Sequence, residues 1–336
     1  MKILGISNPN FQGVTIATKA LTAAYYGLPH LTNKVMVNEA AATILNYKPE
    51  LLIIGGWSMG YDQLLEQIAD KRDFPVVCIY HGTWYHEEYF GGDYLERMMG
   101  CLEMQQMDLM SFVHPRTTQY YRDVLKMHDR VVWLPHYFRP EKKVDRVDER
   151  FNIGIFGGTK SWYKNALGPV MVAQEYARDK YGRVKVDHIR AYNDSHTTFL
   201  KRLEQYHLLI HASFLECYSN TVQEAWARGI PVIMSSANAG LYNSPFIGKK
   251  DWIPTYDTKT PSLVLEDAID PVELTNVIGF VDKNWQSISL REHGIGNLVY
   301  SRARKHTQEM LKFLVEEYKK GTVRKNHQEY GRPFAK

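Results

Sequence analysis

The sequence predicts an α/β protein built from two Rossmann-like domains facing a cleft, on three observations. Short apolar runs of strand length alternate with helical segments. That alternation occurs twice, in residues 1–138 and again in 151–300. Between the two series, 139–150 is charged, proline-marked and without apolar periodicity, which makes it the expected linker. At 336 residues the chain is too long for one ordinary core and comfortable for two.

In the first series the apolar runs are 2–7, 51–56, 76–81, 109–114 and 131–134, spaced by helical segments such as 14–25, 61–70 and 116–126. Strand followed by helix, repeated, implies a parallel sheet covered on both faces. Ligands then belong at the carboxyl ends of the strands. The second series holds runs at 151–156, 184–189, 208–211 and 231–234. Residues 301–336 read as a terminal helix followed by a basic tail. The helix, over 302–319, carries Met310, Leu311, Phe313, Leu314 and Tyr318 at near-helical spacing and is expected to pack back on the first domain.

Hydrophobic content of 44% and charged content of 23% are those of a globular protein and exclude a disordered chain. Cys78, Cys101 and Cys217 form no C-x-x-C pair, which argues against a zinc site or a disulfide framework and for a reducing cytoplasm. The first apolar run stops at Asn8-Pro9 and no later run exceeds strand length, so neither a signal peptide nor integral membrane association is expected. The net charge of +4 is too mild to define a partner by itself.

The densest cluster of signals runs from His211 to Met234. A strand ends at His211, Glu216 lies in the following loop, a helix is expected over 221–228, and Gly229 and Pro231 stop it before the next strand. Amides near Ser219, Asn220 and Thr221 would sit at the positive end of that helix. Glu216 and Glu224 would flank the same end. Carboxylates are poor phosphate ligands and good acceptors for hydroxyls, so one acid suits a sugar and the other a ribose. A plainer reading is also open, because Thr221-Val-Gln-Glu224 fits a capping box that would fold Glu224 back onto Thr221.

Here the chain resembles the retaining glycosyltransferases of the GT-B fold, in particular glycosyltransferase family 4. The residues that carry the resemblance are Glu216, Glu224, Ala225, Ala227, Gly229, Pro231 and Val232. It implies that Glu216 contacts the donor sugar and Glu224 the ribose, while Ser219, Asn220 and Thr221 hold phosphate. It implies a nucleotide-sugar donor, a UDP-sugar ahead of a GDP-sugar, and neither cofactor nor metal. The loop Gly157-Gly158-Thr159-Lys160 leads to Lys164, which matches the family's pyrophosphate lysine. The family's arginine position holds Gly158, a departure for which Lys160 is the candidate replacement. The resemblance also implies retention at the anomeric carbon, with the leaving phosphate taking the acceptor proton. The acceptor stays open between a saccharide, a small molecule and a hydroxymethylated base in DNA, the last found in bacteriophage members acting in the host cytoplasm. A nucleotide-sugar epimerase and a non-catalytic nucleotide-sugar or nucleic-acid binding protein are the rival classes.

On the acceptor side the candidates are His81, at a strand end before Gly82, and the loop containing Gly13 after the first strand, which resembles the family's glycine loop. Trp57, Trp84 and Tyr85 are candidate stacking residues for a sugar or a base. Gly13 stands in no G-x-G-x-x-G, which counts against a dinucleotide oxidoreductase. No D-x-D occurs, and His207 and His211 lie on a strand at a separation unsuited to sharing one ion.

Overall fold

The computed structural model describes residues 1–82, 93–127, 130–145, 150–157, 162–189, 195–214, 216, 218–235 and 263–321. The chain divides into two compact units, one of residues 1–137 with 302–336 and one of residues 138–301.

In the first unit, strands β1 (Ile3–Ser7), β2 (Ala24–Gly27), β3 (Leu51–Gly55), β4 (Val76–Tyr80), β5 (Leu109–Phe112) and β6 (Val131–Val132) form a parallel sheet in the order β2-β1-β3-β4-β5-β6. The sequences of β3 and β4, Leu-Leu-Ile-Ile-Gly and Val-Val-Cys-Ile-Tyr, are buried at every position. Helices on both sheet faces demand such continuous apolar runs. The helices are α1 (Gln12–Leu21), α2 (Lys34–Tyr47), α3 (Tyr61–Ala69), α4 (Tyr94–Glu103) and α5 (Pro115–Gln119), the last running into a π turn at Tyr120–Val124. Helix α1 ends sooner than expected, and residues 24–25 belong to the half-buried edge strand β2 instead. One core cluster joins Leu52, Ile54, Cys78 and Phe112 to Leu64, Leu65 and Ile68 of α3.

In the second unit, β7 (Phe151–Phe156), β8 (Val184–Ile189), β9 (Leu208–His211), β10 (Val232–Ser235) and β11 (Val264–Leu265) form a parallel sheet in the order β11-β10-β9-β7-β8. Its helices are α6 (Leu167–Arg178), α7 (His196–Leu203) and α8 (Asn220–Trp226). The charged stretch expected to link the domains is docked on this unit in its first part. Glu141 N–H donates to Ala227 O at 2.9 Å and Val144 N–H to Arg228 O at 2.9 Å. Backbone pairing of this kind overrides a composition that reads as a solvated linker.

The last helix, α9, spans Pro271–Lys319 with a break in helical geometry at Asn284, and so begins far upstream of the expected 302–319. Leu274, Val277, Ile278, Val281, Trp285 and Ile288 recur at helical spacing and are buried in the second unit's core. In the first unit, His306 Nε2 donates to Trp133 O at 3.0 Å and Thr307 Oγ1 to Pro135 O at 3.0 Å, with Met310, Leu311 and Leu314 buried beside them.

Glu292 of α9 is 3% exposed, and burial pushes its carboxyl up to about 7 from an ordinary 4.5. Because the folded value lies above the unfolded one, its contribution is fully present below about pH 4.5 and is lost as pH rises through 7. Glu292→Gln should therefore raise stability at pH 8 by roughly 3 kcal/mol and leave it little changed at pH 4.5. Urea unfolding of both proteins across that range measures the difference.

Candidate functional site

The site in the second unit starts from a glycine. At the end of β7, Gly157 adopts φ +154°, and a Cβ there would lie 2.9 Å from the Ala166 Cβ and 3.1 Å from the Lys164 Cβ. Its absence lets the 3₁₀ turn Trp162–Lys164 return closely over the strand end. Backbone and side-chain bonds then fasten this turn to the loop leaving β9. Tyr163 O accepts from Phe214 N–H at 2.7 Å and from the Ser213 hydroxyl at 3.0 Å. Asn165 Nδ2 donates to Ala212 O at 3.0 Å and to Ala268 O at 2.8 Å.

This stitching brings Lys164 and Glu216, 52 positions apart in sequence, into an ion pair through Nζ and Oε1. His211, the last residue of β9 and fully buried, places Nε2 3.0 Å from the same carboxylate oxygen. A carboxylate only accepts, so Nε2 carries the proton and donates. The Ser219 hydroxyl lies 3.3 Å from that nitrogen. The Lys164 and Glu216 side chains are 15% and 13% exposed, so the cluster is largely but not wholly shielded from solvent. Burial alone would push the Glu216 carboxyl up. The Lys164 charge and the His211 hydrogen bond outweigh it and hold the group well below the usual carboxylate range.

Helix α8 starts next to this cluster. Ser219 is its cap and accepts from Val222 N–H at 3.4 Å, with Asn220 and Thr221 in the first turn. The capping box that the sequence also allowed does not form, because the cap lies two residues upstream of Thr221. Glu224 is instead buried at 4% side-chain exposure, with Oε1 2.6 Å from Nε2 of His196, the first residue of α7. The two acids of the motif therefore each hold a histidine, one on a strand end and one on a helix start.

In the first unit, His81 follows β4 and is partly buried, its ring stacked on His136 at 6.1 Å between centroids. Burial lowers its value to about 4, so the ring is neutral at pH 7. Its Nε2 is buried without a hydrogen-bond partner among the described residues. Gly13 is exposed in the first turn of α1, which starts two residues before the expected Val14. Trp57, expected beside the acceptor, is 4% exposed and packs edge to face on Tyr61, a core position that the large apolar area of indole favours. Gly158, Lys160, Trp84 and Tyr85 lie outside the described residues.

Sequence reasoning overlooked His211, His196 and Asn165 as parts of the site. His211 had a usable signal, since it stands at the predicted strand end five residues before Glu216. His207, treated with it as a pair, serves the strand pairing instead. Its Nδ1 accepts from Asn152 N–H at 2.9 Å and its ring stacks on Phe151. Among the described residues no group of three or more histidine, cysteine or acidic side chains is placed to hold a metal ion, and no helix is long and apolar enough to cross a membrane.

No protein-family model matches the chain, and no curated protein sequence is significantly similar to it. Solved structures are. HepE of Anabaena, in complex with UDP and glucose, superposes with a TM-score of 0.61 at 12% identity, covering 94% of this chain and 99% of that one. Sucrose-phosphate synthase of Thermosynechococcus elongatus gives 0.58 at 12% identity, covering 94% and 100%. The pneumococcal O-GlcNAc transferase GtfA, in complex with UDP and GlcNAc, gives 0.55 at 12% identity, covering 84% and 60%. The chain has the GT-B fold.

Lys164→Met should destabilise the cluster by leaving the Glu216 carboxylate with His211 alone. Loss of one partner from a largely buried ion pair costs about 3–5 kcal/mol. The native Glu216 value is depressed, so its contribution is present above an ordinary 4.5 and is lost as pH falls below that value. Denaturation of the variant should thus show its full deficit at pH 7 and a shrinking one toward pH 3.

Proposed function

We propose that the protein is a glycosyltransferase that moves a sugar from a nucleoside diphosphate to a hydroxyl acceptor, with retention at the anomeric carbon and without a metal ion. The observation that carries this reading is the convergence of Lys164, Glu216 and His211 where β7 and β9 end. In a parallel sheet this edge is where ligands collect. Lys164 is held at that edge as a cation that a diphosphate would meet, and Glu216 as an acceptor for sugar hydroxyls. Glu224, on the first two turns of α8, is the candidate acceptor for the ribose hydroxyls, with Ser219, Asn220 and Thr221 nearest the phosphates.

As the anomeric C–O bond breaks, charge builds on the leaving diphosphate, and Lys164 stabilises it more in the transition state than in the ground state. The acceptor hydroxyl then attacks from the same face and passes its proton to the departing phosphate oxygen, so the chain need supply no general base. Neutral His81, whose Nε2 has no hydrogen-bond partner among the described residues, suits a hydrogen bond to a hydroxyl rather than proton transfer. HepE was solved with UDP-glucose and GtfA with UDP and GlcNAc, which favours uridine in the donor proposed here. Transfer in the cytoplasm to a saccharide, a small molecule or a hydroxymethylated DNA base is compatible with this chemistry.

Incubation with a panel of UDP- and GDP-sugars, with saccharides and hydroxymethylated duplex DNA as acceptors, followed by mass spectrometry, should reveal one glycosylated product. Lys164→Ala and Glu216→Ala should each lower turnover by about 10²–10³ while circular dichroism stays native. Near-normal turnover in both variants would overturn the assignment, and UDP binding without transfer or hydrolysis by the native protein would leave only a binding protein.

A further inference from the structure

A second polar network lies in the first unit, where β1, β2 and β3 end, and its direction is fixed by two backbone amides. Asn10 N–H donates to Asn8 Oδ1 at 3.0 Å, which turns Asn8 Nδ2 toward the Ser58 hydroxyl, also 3.0 Å away. Having accepted that bond, Ser58 Oγ donates to His30 Nδ1 at 2.8 Å. Met59 N–H approaches the same nitrogen at 3.3 Å. A backbone amide can only donate, so Nδ1 is an acceptor and the proton of the neutral ring resides on Nε2. Asn8 and Ser58 are 1% and 0% exposed, and Leu31 N–H pairs with Met59 O at 2.9 Å. Gly60 permits that pairing, since a Cβ at its φ of +81° would lie 2.4 Å from Leu31 O. The network is therefore a rigid mount for one imidazole.

What the mount presents is a single N–H with no partner among the described residues. Beside it stands Phe11, 41% exposed, its ring edge-on to His30 at 6.3 Å and 85°. Met59, 57% exposed, borders the same place. Strand order β2-β1-β3-β4 reverses direction at β1, so these three loops flank the switch point of the sheet, the preferred ligand position in an open parallel sheet. Residues 8–11, 28–33 and 56–60, the loops themselves, contain no Asp, Glu, Lys or Arg.

We propose that His30 and Phe11 form the acceptor-recognition site of this protein and that the acceptor is a neutral carbohydrate, an inference that rests on the transferase reading above. A neutral N–H selects an uncharged oxygen such as a sugar hydroxyl or ring oxygen. An exposed aromatic ring next to it suits the C–H face of a pyranose. Duplex DNA would bring phosphates to loops that hold no cation to meet them, and phosphate contacts dominate nucleic-acid affinity.

The test uses the full-length protein on an array of neutral mono- to tetrasaccharides, with a hydroxymethylated DNA duplex as the competing probe and UDP titrated separately by calorimetry. His30→Asn keeps an oxygen where Nδ1 accepts from Ser58 and Met59 and removes only the outward N–H; Phe11→Ala removes the ring without touching the network. Each should weaken binding of the retained saccharide at least tenfold while UDP affinity stays native, and nitrogen shifts of His30 should report the Nε2–H form. Unchanged saccharide binding in both variants, or preferential retention of the DNA duplex by the native protein, would overturn the proposal. Absence of UDP binding with His30-dependent saccharide binding intact would instead defeat the donor reading alone.

Discussion

The second unit is organised around the need to keep a carboxylate ionised where little water reaches it. Glu216 is 13% exposed, and an isolated charge there would take up a proton or rearrange. Lys164 from the turn after β7 and His211 from the end of β9 supply the compensation, and both come from elements fixed by the parallel sheet. The turn must then be held against the β9 loop by backbone bonds rather than by charge alone, which is what Tyr163 and Asn165 accomplish. The turn after β7 and the loop after β9 are thereby tied together at the carboxyl edge of the sheet.

Much of this architecture was legible in the sequence, for a simple reason. Strands buried on both faces have to be apolar throughout, so the runs at 51–56, 76–81 and 208–211 match β3, β4 and β9, the first two to within one residue. Where that demand relaxes, legibility falls. The edge strand β2, Ala-Tyr-Tyr-Gly, is half-buried and lacks an apolar run, so its residues merged into the preceding helix. The first part of α9 carries Gly279, Gly294 and Gly296, whose low helix propensity masks a buried stripe that starts at Leu274. Residues 139–145 read as a linker because charge is visible in sequence and backbone docking is not.

The site divides along the same line. Glu216, Glu224 and Lys164 could be named from spacing and from the family they resemble, since their chemistry announces them. Of the residues that hold them, His196 and Asn165 could not, because they acquire their partners only through the crossing of separate elements, whereas His211 lies at the strand end just before Glu216. Ser219 shows how local signals mislead: the capping box read at Thr221 gives way to a cap at Ser219, and Glu224 pairs with His196 instead. Trp57 shows the opposite hazard, an aromatic near the carboxyl edge of the sheet that is buried in the core.

The division of α9 between the two units bears on how the chain is made. Residues 302–319 belong to the first unit and bury Ala303, Met310, Leu311 and Leu314, yet the ribosome delivers them only after every residue of 138–301. Vectorial synthesis normally lets an amino-terminal domain finish before its successor emerges. Here the order inverts, because 138–301 is an uninterrupted stretch and the amino-terminal unit is the one left waiting. During translation that unit therefore lacks one of its own segments until 302–319 has left the exit tunnel.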